Sequence, residues 1–364
     1  MSMFKLFHSL WRSAARKATK AQRKQTRTLI RNVVKPAMRA SAAKPVAKKP
    51  LAHSSSWHRA RFSSLNTDPA RGVLIGTRME YWLYQPSALR AGTVPLIVML
   101  HGCAQSAVEF AEGTRMNALG ESKDFGVLYP QQSMRMNPQR CWHWYKKSVQ
   151  GGKGEAALVA ELIAHVVRRY GFDPTRIYVA GISAGAAMAQ IISLHHPQLI
   201  AAVGLHSAPQ GGVAHDAISA YAVMQHGAHA ASPAWDSSDN TAASTARAMP
   251  AILIQGLQDS VVRPVNATQL EAQFCERNAL TDAQRQPPVH HAAGTSARSA
   301  HAFDTVDYRR GRQILLRVCR IVQLEHAWSG GDPSYRFNER KGPDASRMMW
   351  NFFSRHCREH ITTT

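Results

Sequence analysis

At 364 residues with 45% hydrophobic content, the chain has material for one large α/β domain with an appendage, or for two modest domains. Its formal charge of +22 is concentrated at one end. Residues 1–60 hold 8 Lys and 7 Arg with no Asp or Glu and supply +15 of it, so net charge alone does not make the body a nucleic-acid-binding domain. No run of about 18 apolar residues is present to cross a membrane as a helix, and five cysteines without C-x-x-C spacing give neither a disulfide scaffold nor a zinc signature.

In residues 1–60, Met3, Phe7, Leu10, Ala14, Ala18 and Ala21 recur at helical spacing with Arg and Lys around them. The pattern predicts a basic amphipathic helix, followed from Pro36 to Ser56 by a flexible Ala, Lys, Pro and Ser linker. The competing reading is a disordered solubilising tail. After Lys5, the apolar residues Leu6, Phe7, Leu10 and Trp11 are interrupted by His8, Ser9 and Arg12, too short for the apolar core of a secretory signal. Aromatic and apolar residues beside this charge suit an anionic membrane or lipid-like storage granule. Nucleic acid would explain the charge alone and is not expected as a partner.

The body is expected from about residue 61 to 364, opening with two β-like runs, 72–75 and 79–84, as an antiparallel start to a sheet. Val94 to Leu100 is continuously apolar, as for a strand buried on both faces, and ends at His101-Gly102-Cys103. Residues 125–129 give a further strand. From Glu155 to Tyr170 the apolar positions follow the 3.6-residue period, and Gly171 closes the helix. Strands follow at 176–180, 200–205, 251–255 and 314–318. The alternation predicts a doubly wound, mostly parallel sheet. An Ala, His and Ser-rich insertion at 209–249 is expected as a lid, and a last helix near 344–357 takes Asp344 as its N-cap.

Gly181-Ile182-Ser183-Ala184-Gly185 lies between the strand at 176–180 and a small-residue helical run. This is the G-x-S-x-G nucleophile elbow in its strand–turn–helix context, where side chains at Gly181 or Gly185 would collide with the neighbouring strand or helix. A serine hydroxyl needs a base, and the base an orienting acid. In α/β-hydrolases these follow in the order Ser, acid, His. Asp259, after the strand at 251–255, fits the acid, with capping of the helix near Val265 as its other reading. His326, at the head of a glycine-rich loop, fits the base. His206 and His195 precede the acid, and His301 precedes the last strand. The backbone amides of Cys103 and Ala184 are the expected oxyanion donors, and His101 is expected to hold its loop. The mechanism needs no metal or organic cofactor.

Together these stretches resemble the polyhydroxybutyrate (short-chain polyhydroxyalkanoate) depolymerase family of esterases, close to feruloyl and acetylxylan esterases. The resemblance rests on His101-Gly102-Cys103-Ala104-Gln105, Tyr129-Pro130-Gln131-Gln132, Cys141-Trp142-His143-Trp144-Tyr145, Gly154-Glu155, the elbow, Gly256 with Asp259, and His326-Ala327-Trp328-Ser329-Gly330-Gly331. It implies an α/β-hydrolase fold, Ser183, Asp259 and His326 as the triad, a polyester or short acyl ester as substrate, and an extracellular home. The basic tail, which the family pattern does not include, points instead to a cytoplasmic, granule or membrane-surface location. A carbohydrate esterase is the alternative activity, and a surface-binding protein with a vestigial hydrolase body the alternative class. Trp142, Trp144 and Trp328 are candidate substrate contacts, with core packing as their other reading. In an oxidising compartment Cys103 would pair with Cys141, and Cys275 with Cys319.

Overall fold

The computed structural model describes residues 56–67, 74–87, 91–228, 247–293 and 301–359. The expected amphipathic helix and linker of the tail lie outside these residues. Among them, the chain lays down β1 (Trp57–Thr67), β2 (Leu74–Tyr84), β3 (Leu96–Leu100), α1 (Ala107–Thr114), α2 (Met116–Lys123) and β4 (Gly126–Gln131). The middle section runs α3 (Lys147–Gln150), α4 (Glu155–Tyr170), β5 (Ile177–Ile182), α5 (Ala184–His195), β6 (Ala202–His206), α6 (Ala217–His226) and β7 (Ala251–Gly256). It ends with α7 (Val265–Arg277), β8 (Val289–His291), β9 (Phe303–Arg310), β10 (Gln313–Ile321), the short strands β11 (Trp328–Ser329) and β12 (Asn338–Glu339), and α8 (Ala345–Phe353).

The first ten strands form one sheet in the order β1-β2-β4-β3-β5-β6-β7-β10-β9-β8. The six central strands from β4 to β10 run parallel, and the outer pairs are antiparallel. Helices cover both faces, so each central strand is apolar on both sides. In β3, Leu96, Val98 and Leu100 pack into one core, while Ile97 and Met99 pack into the other. The first core takes the inner faces of α4, α5 and α7; the second takes α1 and α8. α4 buries Leu158, Val159, Leu162, Ile163, Val166 and Val167 along one stripe, and Gly171, at φ 69°, closes it with a bond to the Val167 carbonyl. Asp344 caps α8 by accepting from the Arg347 amide, and Phe353 stacks on Tyr178 at 4.9 Å.

Two expectations change here. The runs at 72–75 and 79–84 do not pair with each other: β2 is one strand, and its partner is β1, which begins four residues before the composition boundary at 60/61. β1 is an edge strand with one open face, where Arg59 and Arg61 both reach Glu80 across the pair, so few apolar residues mark it in the sequence. In the insertion at 209–249, the described part holds α6, capped by Asp216. α6 braces the loop after β7, with Gln225 Nε2 donating to the Ser260 and Val261 carbonyls and the Met224 carbonyl accepting from the Arg263 amide. Residues 229–246, the rest of the expected lid, lie outside the described residues.

Candidate active site

At the end of β5, Ser183 takes φ 57° and ψ −126°, a backbone conformation that side chains avoid at a cost of order 1–3 kcal/mol. Its amide is held by the His206 carbonyl at 3.0 Å. Serine at a helix start ordinarily spends its hydroxyl on capping, but Ser183 makes no side-chain cap bond, so the hydroxyl is kept for other use. The turn depends on its glycines. A Cβ on Gly185 would lie 2.0 Å from the Leu100 carbonyl oxygen, and one on Gly181 would lie 2.6 Å from that same atom. α5 therefore sits against the end of β3, with Ala184 as its first residue and the first-turn amides at its mouth.

Asp259 and His326 come from the loops after β7 and β10, which are neighbours in the sheet. The loops are stitched by Leu257 N to the Ile321 carbonyl at 2.9 Å and Gln258 N to the Leu324 carbonyl at 3.1 Å. Gly256 permits this approach, since a Cβ there would meet the Leu324 oxygen at 2.2 Å. Asp259 is buried, and its Oδ1 accepts from the Val261 and Val262 amides at 2.9 and 2.8 Å. His326 Nδ1 lies 2.8 Å from Asp259 Oδ2. Burial works to raise the Asp259 carboxyl, but the His326 imidazole, the Val262 amide and the Ser207 hydroxyl outweigh it and hold the group below its ordinary value. Asp259 caps no helix: Pro264 occupies the cap position of α7.

His101 is wholly enclosed, and burial pushes its imidazole down to about 4. Nε2 accepts from the Gln132 amide at 3.2 Å, which leaves the proton on Nδ1, 2.8 Å from the Gly102 carbonyl. It ties the end of β3 to the end of β4, the loop-holding role expected of it. Cys103 is bonded to Cys141. The strand-end loop is further fixed by Ala104 N to the Gln139 carbonyl and by Trp142 Nε1 to the His101 carbonyl. The second expected pair does not form: Cys275 and Cys319 are free thiols. Cys319 belongs to the core on one face of the sheet, and Cys275 packs against the core on the other.

All three candidate substrate tryptophans are buried, Trp142 fully, Trp328 at 1% and Trp144 at 3% exposure, so they give a substrate almost no surface and follow the core reading. Trp142 packs on His101; Trp328 stacks on His206 and meets Phe110 edge-on. Aromatic density in a sequence does not separate core from cleft. The motif residues Gln132, His143 and Glu155, quoted without a role, form one cluster. Glu155 accepts from the His143 amide and ring Nδ1 at 2.9 and 2.6 Å and from Gln132 Nε2 at 2.7 Å, lashing the disulfide loop to the start of α4. His301, a rival base, instead meets Gln323.

A family model described as "Esterase PHB depolymerase" matches residues 79–295. The chain belongs to that family. Ser183 and Asp259 fall within the matched segment, and His326 lies beyond it, joined to it through Asp259. Among curated proteins, poly(3-hydroxyalkanoate) depolymerase C of Paucimonas lemoignei is 29% identical over 247 residues, 67% of this chain and 57% of that protein. Acetylxylan esterase A of Emericella nidulans is 29% identical over 128 residues, 35% of this chain and 41% of that protein. The chain thus spans little more than half the length of the first of these relatives, and less of the second. Among solved structures, the acetyl xylan esterase from Aspergillus awamori superposes with a TM-score of 0.61 at 16% identity, over 82% of this chain and 99% of that one. The fold is that of the α/β-hydrolases.

Proposed function

We infer that this member of the depolymerase family is a serine carboxylesterase that forms an acyl-enzyme on Ser183. The observation that carries the reading is the 2.8 Å bond between His326 Nδ1 and Asp259 Oδ2, on stitched loops at the edge of the sheet where the elbow presents Ser183. An ionised carboxylate only accepts, so it fixes the imidazole proton on Nδ1 and leaves a lone pair on Nε2, the form that a general base needs. In the reaction His326 Nε2 takes the Ser183 Oγ proton as Oγ attacks the ester carbonyl carbon. The carbonyl oxygen becomes an oxyanion held by the Cys103 and Ala184 amides. Collapse breaks the bond to the alcohol, which leaves with the proton from Nε2; water then repeats the sequence on the acyl-enzyme and releases the acid.

The substrate class best supported is a polyhydroxyalkanoate or short-chain acyl ester, from the family match and the depolymerase relative. The equal identity to acetylxylan esterase A, over a shorter stretch, supports an acylated carbohydrate as the second reading. Purified protein assayed on p-nitrophenyl butyrate, acetylated xylan, a feruloyl sugar ester and dispersed polyhydroxybutyrate separates them. Turnover of the first and last is the expected result, lost in Ser183→Ala; activity surviving that substitution would refute the acyl-enzyme. The same reading gives the basic segment before β1 the task of holding the enzyme on an anionic, lipid-like surface. Deleting residues 1–55 should leave soluble-ester turnover unchanged and weaken binding to anionic vesicles, with binding by the full chain falling as salt rises. Equal vesicle binding with and without the segment would remove that role.

A further inference from the structure

The loop that leads from β3 into α1 spends its backbone donors almost completely. Gly102 N is held by Gln105 Oε1 at 2.9 Å, Ala104 N by the Gln139 carbonyl at 2.6 Å, and Ala107 N by Gln131 Oε1 at 2.9 Å. Gln105 N reaches the Gly102 carbonyl, and Ser106 N reaches Glu109 Oε2. The Cys103 amide alone of this run finds no acceptor among the described residues. The donor left over stands beside the elbow. A Cβ on Gly102 would lie 3.5 Å from the Ile182 carbonyl oxygen, and one on Gly185 would lie 2.5 Å from the His101 carbonyl oxygen.

Cys103 is placed through its neighbours, and two of the bonds that place it come from Gln132, which is buried at 3% exposure. The Gln132 amide donates to His101 Nε2 at 3.2 Å, two residues before Cys103. Its side-chain Nε2 donates to the carbonyl of Cys141, the disulfide partner of Cys103, at 3.2 Å. The second hydrogen of that Nε2 goes to Glu155 Oε1 at 2.7 Å, and Gln132 Oε1 accepts from the Ser133 amide at 2.8 Å. Both ends of the side-chain amide are thus engaged.

Glu155 decides which way round that amide sits. Its carboxylate faces three donors: Gln132 Nε2 and the backbone amide and ring Nδ1 of His143. Burial works to raise this carboxyl, but His143 and Gln132 outweigh it and hold the group below its ordinary value. A carboxylate only accepts, so the Gln132 NH2 must turn toward it; the flipped amide would set oxygen against oxygen and take the donor from the Cys141 carbonyl. Glutamine cannot replace Glu155 here, because its own NH2 would meet one of the three donors.

We propose that Gln132 and Glu155 are positioning residues for the esterase reaction: Glu155 orients the Gln132 side chain, and Gln132 holds the Cys103 peptide from two sides, through His101 and through Cys141, with its N–H kept for the oxyanion. They act through the Cys103 amide and not on substrate. The role rests on the serine-esterase reading of the site, whereas the ordering of the loop by Gln132 does not.

The wild-type full chain is measured first. In protein labelled with 15N-glutamine, the Gln132 side-chain NH2 should exchange with solvent at least about tenfold more slowly than a solvent-exposed glutamine side chain. Exchange at the exposed rate would overturn the ordering role without reference to turnover. In protein labelled with 15N-cysteine, the Cys103 amide should exchange freely and slow on addition of pentyl trifluoromethyl ketone, which carries an oxyanion once Ser183 Oγ has added to it. An amide already protected in the free protein, with the ketone still inhibiting, would overturn the proposal even if no variant folds. In kinetics on p-nitrophenyl butyrate, Gln132→Met and Glu155→Gln should each lower kcat by about 10- to 100-fold, short of the loss of about 10²–10³ for removing an oxyanion donor outright, with KM unchanged. The inhibition constant of the ketone should rise by the same factor. A kcat within about twofold of wild type, or a rise in KM with inhibition by the ketone unchanged, would show a residue that matters for shape alone. Because Glu155 acts through Gln132, the doubly substituted protein should lose no more than the worse single variant, and losses that multiply would refute the link. Wild-type protein inactive on every ester and indifferent to the ketone defeats the esterase reading, while exchange of the Gln132 NH2 still supports or overturns the ordering of the loop.

Discussion

The carboxyl edge of the central strands and the antiparallel wings of the same sheet are built in opposite ways. At the edge, Ala104, Ser183 and Ser207 follow β3, β5 and β6, and each has a positive φ without being glycine. Beside them, His101, Gln105, His206 and Asp259 are buried polar groups. In the wings, β1 with β2 and β9 with β10 are joined by charge pairs that stay partly in water, such as Arg59 with Glu80 and Arg317 with Asp307. Strain and buried polarity cost stability. They collect where four fully buried parallel strands, β3, β5, β6 and β7, can hold them, and the wings carry little of either.

The largest expected effect lies at the edge. Asp259→Asn should lower kcat by about 10⁴-fold, because the amide directs the imidazole to the wrong tautomer while keeping the side chain's shape. Single-turnover assays check it, and a loss under tenfold would detach Asp259 from the chemistry. Next comes a matched pair of glycines. Gly185→Ala drives a methyl into the Leu100 carbonyl and should cost at least about 3 kcal/mol or prevent folding. Gly311→Ala, in the β9–β10 turn at φ 58° with nothing within 4 Å, should cost only about 1–2 kcal/mol in urea unfolding. Similar losses at both positions would erase the contrast.

Acid should find the edge first. Burial pushes His206 down to about 3 and His101 to about 4, so the unfolded chain binds protons that the folded chain refuses. Their contribution is complete above the ordinary histidine value of about 6.5 and is lost as pH falls toward the folded values, by about 1.4 kcal/mol per pH unit for each histidine. Urea unfolding at pH 7, 6 and 5 should show the slope, and a flat response would contradict it. The smallest effect belongs to the wing: Glu80→Gln removes partly exposed pairs with Arg59 and Arg61 and should change stability by less than about 1 kcal/mol.

The same division governs what the sequence makes legible. Central strands announce themselves because burial on two faces demands unbroken apolar runs, as in Leu96–Leu100. The elbow is legible because its glycines answer to backbone contact, and His326 because it follows Asp259 and the last central strand. β1 and β9 escape notice since a strand open on one face needs only alternate apolar residues, and Asp304, Asp307, Arg59 and Arg61 fill the rest. The tryptophans mislead because composition carries no sign of which side of a loop faces inward. His206 reads as a rival base by residue type alone; its Nε2 is taken up by the Ser329 amide, 123 positions away, a contact that no local pattern encodes.

The strand order also has a consequence for the folding chain. β10, which leads into the His326 loop, is the last of the central strands in chain order and pairs with β7 on one side and β9 on the other. A chain that ended just after the β7 loop would contain Ser183 and Asp259 but not His326. On the reading proposed above, the constellation is complete only when His326, 67 residues beyond Asp259, stands beside it. Pairing elements so far apart in sequence slows folding, so in a refolding experiment esterase activity is expected no earlier than the pairing of β10 with β7.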